Sequence, residues 1–320
     1  MIKGITIIIC TYNGAQRLIK TIEHIARQIV PAYISWEVVL ADNASTDCSS
    51  DIAQAEWQKY NLPQIPFHII SEPKPGKLYA LQKAVQAARY EYLVTCDDDN
   101  WLASDYIFKV YQLFEATPQV AAIGGRGIPV TANGILPEWF KDFEVVYAVG
   151  PQAARTGTIP PRATLWGAGL STRRSVYLKT YAQYPSFLLE HDVDVIFAED
   201  TEYCYRLILQ GYHLFYDTDL VYHHFISDSK LDIHRRDAYI ERFKAADYVL
   251  RKYYAAIRTM VKTKNRPATW LMLTLVTPLL YIFSFSKKRA EMSRNTLFHL
   301  LPFEINTDPI SKQIKAFMKS

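Results

Sequence analysis

Tyr92-Leu93-Val94-Thr95-Cys96-Asp97-Asp98-Asp99-Asn100-Trp101 is a short apolar run that ends in three adjacent carboxylates. An apolar run rich in β-branched and aromatic residues reads as a strand buried on both faces. Three carboxylates at the end of one strand repel each other and resist desolvation unless a cation or a ligand's donors neutralise them. Hard cations such as Mg²⁺ or Mn²⁺ take oxygen ligands, and Mg²⁺ commonly uses one or two carboxylates together with substrate phosphates. A solvated acidic turn is the simpler reading of the triplet alone. Its place after a buried strand favours a metal–phosphate site.

Outward from this stretch, the first 125 residues alternate strand and helix patterns. Ile5 to Cys10 is a near-continuous apolar strand, followed by the polar turn Thr11-Tyr12-Asn13-Gly14 and a helical stripe of Leu18, Ile22, Ile25 and Ile29. Trp36 to Ala41 is a second strand, ending in Asp42-Asn43-Ala44-Ser45-Thr46-Asp47, whose last residues can cap a helix to about Tyr60. Phe67 to Ser71 is a third strand, and Gly76 precedes a helix from about Lys77 to Ala88. The carboxylate strand is the fourth. Ser104 caps a helix to about Ala116, and Val120 to Gly124 is a fifth strand.

Strands alternating with helices predict a parallel sheet with right-handed crossovers. In such sheets ligands bind outside the carboxyl ends of the strands. Thr11-Tyr12-Asn13, Asp42 to Asp47 and Asp97 to Asp99 all follow strand ends, so they fall on one rim. Each alone could be turn chemistry; three on one rim are harder to dismiss.

Residues 125 to 230 are less regular. Trp166-Gly167-Ala168-Gly169 leads into the turn Ser171-Thr172-Arg173-Arg174, and Ala198-Glu199-Asp200 opens a helix through Tyr203, Leu207 and Ile208 to Gly211. A strand from Leu214 to Asp217 precedes Leu220-Val221-Tyr222-His223-His224.

In this order the motifs resemble the family 2 glycosyltransferases over residues 4 to about 225. The resemblance rests on Thr11-Tyr12-Asn13, on Asp42 to Asp47, on Gly76-Lys77, on Asp97-Asp98-Asp99 as the DxD element, on Trp166 to Gly169 as the acceptor-side glycine turn, and on Glu199-Asp200 as the "ED" element. It implies an α/β fold of GT-A type, a mostly parallel sheet flanked by helices. The catalytic domain would run over residues 1–230, with a nucleotide-binding half to about 125 and an acceptor half from about 126. A helical, apolar region over 231–320 would follow.

The resemblance also implies roles. Thr11, Tyr12 and Asn13 would line the nucleotide pocket, Asp42 would accept hydrogen bonds from the base, and Lys77 and Asp98 would stand nearby. Asp97 would hold the ribose or metal-bound water, and Asp99 would coordinate a Mg²⁺ or Mn²⁺ bridging a diphosphate. Asp200 would be the general base on the acceptor hydroxyl, with Glu199 shaping its surroundings. Trp166, Gly167 and Gly169 would face the acceptor. One of the adjacent histidines, taken as His223 with His224 left open, would add a metal contact, since both cannot face inward on a strand.

The expected donor is a nucleoside diphosphate sugar, with UDP the expected carrier, and the expected acceptor a glycan or lipid-linked saccharide. One base without a covalent nucleophile implies single displacement with inversion. The QxxRW signature of processive synthases is absent after the histidines, which argues for transfer of one sugar; Arg235 or Arg236 could contact the diphosphate. Taken without the resemblance, Glu199 and Asp200 also suit a helix N-terminus as acids, and Lys77 could be a surface lysine. A nucleotidyltransferase lacks its Gly-rich basic loop after the first strand here. A non-catalytic sugar-nucleotide-binding module fits poorly with an intact set of acids.

Bulk numbers bound the rest. The 320 residues are 49% hydrophobic and 21% charged, which excludes global disorder. Four cysteines, Cys10, Cys48, Cys96 and Cys204, lie far apart without CxxC spacing, as suits a reducing compartment. The start, Met1-Ile2-Lys3-Gly4, runs into a strand and does not read as a signal peptide. From Arg251 to Ser320 there are 13 basic and 3 acidic residues, against 23 and 29 before them, so a net +10 tail follows a −6 body. A basic tail suits an anionic surface, nucleic acid or lipid headgroups, and the resemblance points to the membrane rather than nucleic acid.

Residues 268–286 carry no charge, with Lys262, Lys264 and Arg266 before them and Lys287, Lys288 and Arg289 after. About 20 apolar residues are needed to span. Basic flanks on both sides suit an interfacial hairpin bent at Pro278, placing the enzyme at the cytoplasmic face of a membrane. A buried helix pair, or a dimer contact, is the alternative.

Overall fold

A computed structural model describes residues 2–161, 163–191, 198–263, 267–271, 275 and 308–319. Its centre is a nine-stranded sheet in the order β3-β2-β1-β4-β8-β6-β9-β5, with β7 added on β9. The strands are β1 (Ile2–Thr11), β2 (Trp36–Asp42), β3 (Phe67–Ser71), β4 (Tyr90–Asp97), β5 (Asn100–Leu102), β6 (Val120–Val130), β7 (Gly157–Thr158), β8 (Ser171–Arg173) and β9 (His213–Phe225). Between them lie α1 (Ala15–Ala26), α2 (Ser49–Gln58), α3 (Lys77–Ala87), α4 (Tyr106–Ala116), α5 (Arg174–Ala182) and α6 (Glu199–Leu209). The long α7 (Ile233–Thr263) follows, and a helix over Pro309–Phe317 closes the chain.

The nucleotide-binding half is parallel, as its alternating pattern predicts: β1 pairs in parallel with β2 and β4, and β2 with β3. The register aligns Thr11 with Asp42 and Cys10 with Asp97, so the three polar turns leave one rim together. The second half is mixed. The short β8 inserts antiparallel between β4 and β6, and β9 runs parallel to β6 but antiparallel to β5.

Alternation along the central strands divides the core between two faces. Ile8, Val39 and Leu93 pack under α3, α5 and α6 on one side. Ile7, Val38 and Val94 pack against Leu18, Ile22 and Ile25 of α1 and against Ile107 and Val110 of α4 on the other.

Four local expectations need correction. The helix after β1 ends at Ala26, and Ile29 lies beyond it, 68% exposed rather than on the buried stripe. The residue preceding α4 is Asp105, not Ser104. The fifth expected strand continues past Gly124 to Val130. The two apolar runs after Gly211 form one strand, interrupted by a shift of register against β6 between Gly124 and Arg126.

α7 packs against α6, and the helix Pro309–Phe317 packs against α7. Among the described residues no helix is long and apolar enough to cross a membrane. Most of the uncharged run 268–286, with Pro278 and its downstream basic flank, lies outside the described residues.

Candidate active site

The carboxyl ends of β1, β2 and β4 open on a cleft of about 470 Å³, lined by Thr11, Tyr12, Asn43, Gly76, Asp97 to Asp99 and Tyr147 among others. Each acid of the triplet leaves the end of β4 in a different direction and meets its own cation. β5 begins at Asn100, directly after the triplet, and folds back to pair with β9, which brings β9 and the turn beyond it over the acids.

Asp97 faces α3. Its carboxylate lies 2.6 Å from the Lys77 ammonium, which also stands 3.6 Å from Glu199. Burial opposes charge on Lys77, but the two acids hold its pKa well above the usual lysine range. The approach to Lys77 is set by Asn43: its side-chain amide donates to the carbonyls of Glu72 and Lys74, and its oxygen accepts from the Gly76 N–H. Gly76 has φ +131°, a conformation costly for a residue with a Cβ.

Asp98 turns inward. Arg17 from α1 grips it with two 2.8 Å bonds, and the Thr11 hydroxyl donates at 2.7 Å. Burial pushes this carboxyl up from its usual range, while the guanidinium fork pulls it partly back.

Asp99 faces β9. Lys230, in a short 3₁₀ turn over Asp228–Leu231, donates to Oδ2 at 2.6 Å, and His224 Nε2 lies 3.4 Å from Oδ1. Burial opposes ionisation, yet His224 and Lys230 hold Asp99 well below the usual carboxylate range. The other ring nitrogen of His224 is 2.7 Å from the Tyr147 carbonyl. A carbonyl only accepts, so Nδ1 carries the hydrogen. Nε2 is then the ring nitrogen that faces the Asp99 carboxylate.

Glu199 and Asp200 open α6 behind Lys77. The Asp200 carboxylate accepts from the Gly167 N–H at 2.7 Å and from the Thr201 N–H at 2.6 Å. Burial raises both acids, Glu199 to about 7, where Lys77 opposes the rise and Asp200 adds to it. Gly167, Lys77, Glu199 and Asp200 line a small second cavity adjoining the cleft, so Lys77 borders both.

The sequence-expected residues therefore divide. Thr11, Tyr12, Lys77 and Asp97 to Asp99 line one cleft, and Glu199, Asp200 and Gly167 stand next to it across Lys77. Asn13 and Asp42 are engaged in the rim: Asn13 Oδ1 accepts from the Thr46 N–H, and Asp42 accepts from the Ser45 N–H and the Ser50 hydroxyl. The Trp166 N–H donates to Gln152. Gly169, at φ +69°, is packed under Tyr106 and Tyr222, with its carbonyl accepting from the Tyr106 hydroxyl at 2.6 Å. Of the two histidines the cleft takes His224 and not His223; His223 pairs with Trp101 in the β5–β9 register. Arg236 stacks on Trp139 and Phe143 instead of lining the cleft.

Sequence reasoning missed Arg17 and Lys230 as site residues, and took Asn43 only as part of a turn. A lysine or arginine in a polar stretch carries no signal that distinguishes a partner of a buried acid from a solvated charge.

Among the described residues no group of three or more His, Cys, Asp or Glu forms a metal cage on its own. Asp99 and His224 still converge as an oxygen and a nitrogen donor, with Asp97 on the same rim. A cation shared with substrate phosphates needs no more than this from the protein, so the residues fit Mg²⁺ or Mn²⁺ held jointly with a diphosphate.

Comparison with known proteins agrees with this architecture. Residues 6–140 match the profile of Glycosyl transferase family 2, and residues 92–302 that of Glycosyl transferase family group 2. The second match covers well over half of the chain: the protein belongs to the family 2 glycosyltransferases. It is 24% identical over 156 residues to a poly(ribitol-phosphate) β-glucosyltransferase of Bacillus spizizenii, a match covering 46% of this chain and 24% of that relative's length. Its fold is similar to a mannosyltransferase from Pyrobaculum calidifontis in complex with GDP-Man and Mn²⁺ (TM-score 0.55, 18% identity, 100% of this chain and 85% of that one). It is likewise similar to S. aureus TarS in complex with UDP-GlcNAc (TM-score 0.53, 14% identity, 98% and 92%).

Proposed function

We propose that this glycosyltransferase moves one sugar from a nucleoside diphosphate sugar to a hydroxyl acceptor by metal-assisted single displacement with inversion. The observation that carries the reading is the bridge made by Lys77. It joins Asp97, on the rim where a diphosphate would lie, to Glu199, beside Asp200 at the start of α6. Acids from two distant parts of the chain thus share one charged centre.

In this reading Thr11, Tyr12, Asn13 and Asp42 form the nucleotide side, and Asp97 takes the ribose or a metal-bound water. Asp99 and His224, rather than His223, hold the cation with Asp97 beside them. A bound Mg²⁺ or Mn²⁺ would offset the negative charge that grows on the leaving diphosphate. Asp200 takes the proton of the acceptor hydroxyl. Two backbone N–H groups fix its carboxylate, each oxygen keeps a lone pair, and burial raises its basicity, as a general base requires. Glu199 and Lys77 set the charge around it, and the Trp166–Gly169 turn shapes the acceptor side.

UDP-sugar is the first choice of donor, since one structurally similar transferase was solved with UDP-GlcNAc, with GDP-sugars next after the mannosyltransferase. The acceptor is proposed to be a glycan or lipid-linked saccharide in polysaccharide assembly. The catalytic domain is placed over residues 1–230 and a membrane-associated helical region over 231–320, with the enzyme at the cytoplasmic membrane face and able to self-associate.

Donor turnover tests this directly. Incubation with UDP- and GDP-sugars and Mn²⁺ should release nucleoside diphosphate, with the sugar first appearing in inverted configuration by NMR and release abolished by EDTA. Turnover indifferent to EDTA, or a product of retained configuration, contradicts it.

A further inference from the structure

Of the three cations that meet the triplet, Lys230 is held differently from the other two. Arg17 is clamped by a two-bond fork and also donates to the Tyr12 carbonyl. Lys77 is wedged between two acids. Lys230 reaches in from a surface turn, its side chain about as exposed as those of Arg17 and Lys77, but among the described residues Asp99 is the one carboxylate it pairs with. A lysine carries its charge on a flexible four-carbon stem, so this contact can be made and released without moving the backbone.

The turn itself is fixed. The Lys230 carbonyl accepts from the Tyr147 hydroxyl at 2.8 Å, and the Tyr147 carbonyl accepts from His224. Asp99, His224, Tyr147 and Lys230 therefore form a closed ring of contacts, in which the ammonium–carboxylate contact is the one carried by a long, flexible side chain. The ammonium occupies Oδ2 of Asp99, and Asp99, His224 and Lys230 all line the cleft. A divalent cation drawing on Asp99 would meet a positive charge on the same buried carboxylate, and at a few ångströms in a protein interior two such charges repel each other.

From this we infer that Lys230 is a tethered, displaceable counter-ion: it neutralises Asp99 before donor binds, is expelled by the divalent cation, and then swings on its fixed turn to the donor diphosphate. This rests on the metal–donor reading given above. It assigns Lys230 two opposite effects on one cation. Without nucleotide the ammonium competes with the metal. With nucleoside diphosphate present it reinforces the complex, because the released charge finds phosphate oxygens within its reach.

The test is Mn²⁺ binding to the whole chain, followed by the paramagnetic resonance signal of free Mn²⁺, with and without UDP or GDP. Lys230→Met should bind Mn²⁺ alone about tenfold more tightly than the wild type, the factor expected for removing one competing charge worth ~1.4 kcal/mol. It should bind the Mn²⁺–nucleotide complex about tenfold more weakly. Lys230→Gln, which keeps a hydrogen-bonding side chain, should behave in the same direction and guards against a packing defect. Asp99→Asn should lose Mn²⁺ in every condition. If Asp99→Asn loses Mn²⁺ but the Lys230 variants bind Mn²⁺ alone no more tightly than the wild type, the counter-ion role is overturned and the metal reading survives. If Asp99→Asn binds Mn²⁺–nucleotide as the wild type does, the metal reading falls and the inference falls with it.

Discussion

Glu199 is a carboxyl under three charged neighbours: Lys77 at 3.6 Å, and Asp200 and Asp97 acting against it. Burial is the largest influence and raises its pKa from 4.5 to about 7. A carboxyl that holds its proton more tightly when folded contributes stability in full below about pH 4.5, and that contribution is lost as pH rises through about 7. Thermal stability should therefore fall between these values, with Glu199 accounting for roughly 3 kcal/mol at most. Glu199→Gln, neutral throughout, should flatten that part of the slope, leaving the contribution of Asp200, which has the same sign. Parallel Tm–pH curves for variant and wild type would refute this. At this scale the acids were legible in the sequence because a carboxylate triplet after an apolar strand is costly and therefore conspicuous. Their cationic partners were not: Arg17 looks like an exposed helix residue and Lys230 like a loop lysine, and only the fold brings them to Asp98 and Asp99. The choice between His223 and His224 was likewise undecidable, since the alternation of a strand fixes that one faces in but not which.

Among the elements, α6 carries most of the architecture around Asp200. Arg206 is wholly buried and bonds Glu202, the Tyr253 hydroxyl, and the carbonyls of Thr180, Tyr184 and Pro185. Phe187 and Phe317 lie over its guanidinium at 4.6 and 5.1 Å. Glu202 in turn accepts from Ser186 and from the Phe187 N–H. One ion pair thus ties α6, α7, the 184–187 segment and the helix Pro309–Phe317 together. Removing one partner leaves a buried charge alone, so Arg206→Ala should cost about 3–5 kcal/mol in denaturant unfolding and free the C-terminal helix to early proteolysis. A loss under about 1 kcal/mol would show that the pair is not what joins these elements. Apart from β5, the strands and helices up to α4 were readable from periodicity and turn residues. β5, β7 and β8 were not, because two or three residues carry no period and are strands only through the partners they meet.

At the scale of the whole molecule, the parallel half fixes where the donor acids stand and the mixed half brings α6 and the turn carrying Lys230 to them. The rim of β1, β2 and β4 was inferable from sequence because each strand ends in a polar turn. The convergence of residues 97–99 with 199–200 was not, since it depends on β8 and β9 threading between and beside earlier strands. The account stands on that convergence, and titration calorimetry with nucleotide and Mn²⁺, paired with transfer rates, on Asp99→Asn and Asp200→Asn measures it most directly. Asp99→Asn should lose Mn²⁺-dependent nucleotide binding, whereas Asp200→Asn should bind nucleotide and Mn²⁺ as the wild type does and lose transfer by ~10²–10⁴-fold. Undiminished transfer by Asp200→Asn, or wild-type metal–nucleotide binding by Asp99→Asn, would contradict it.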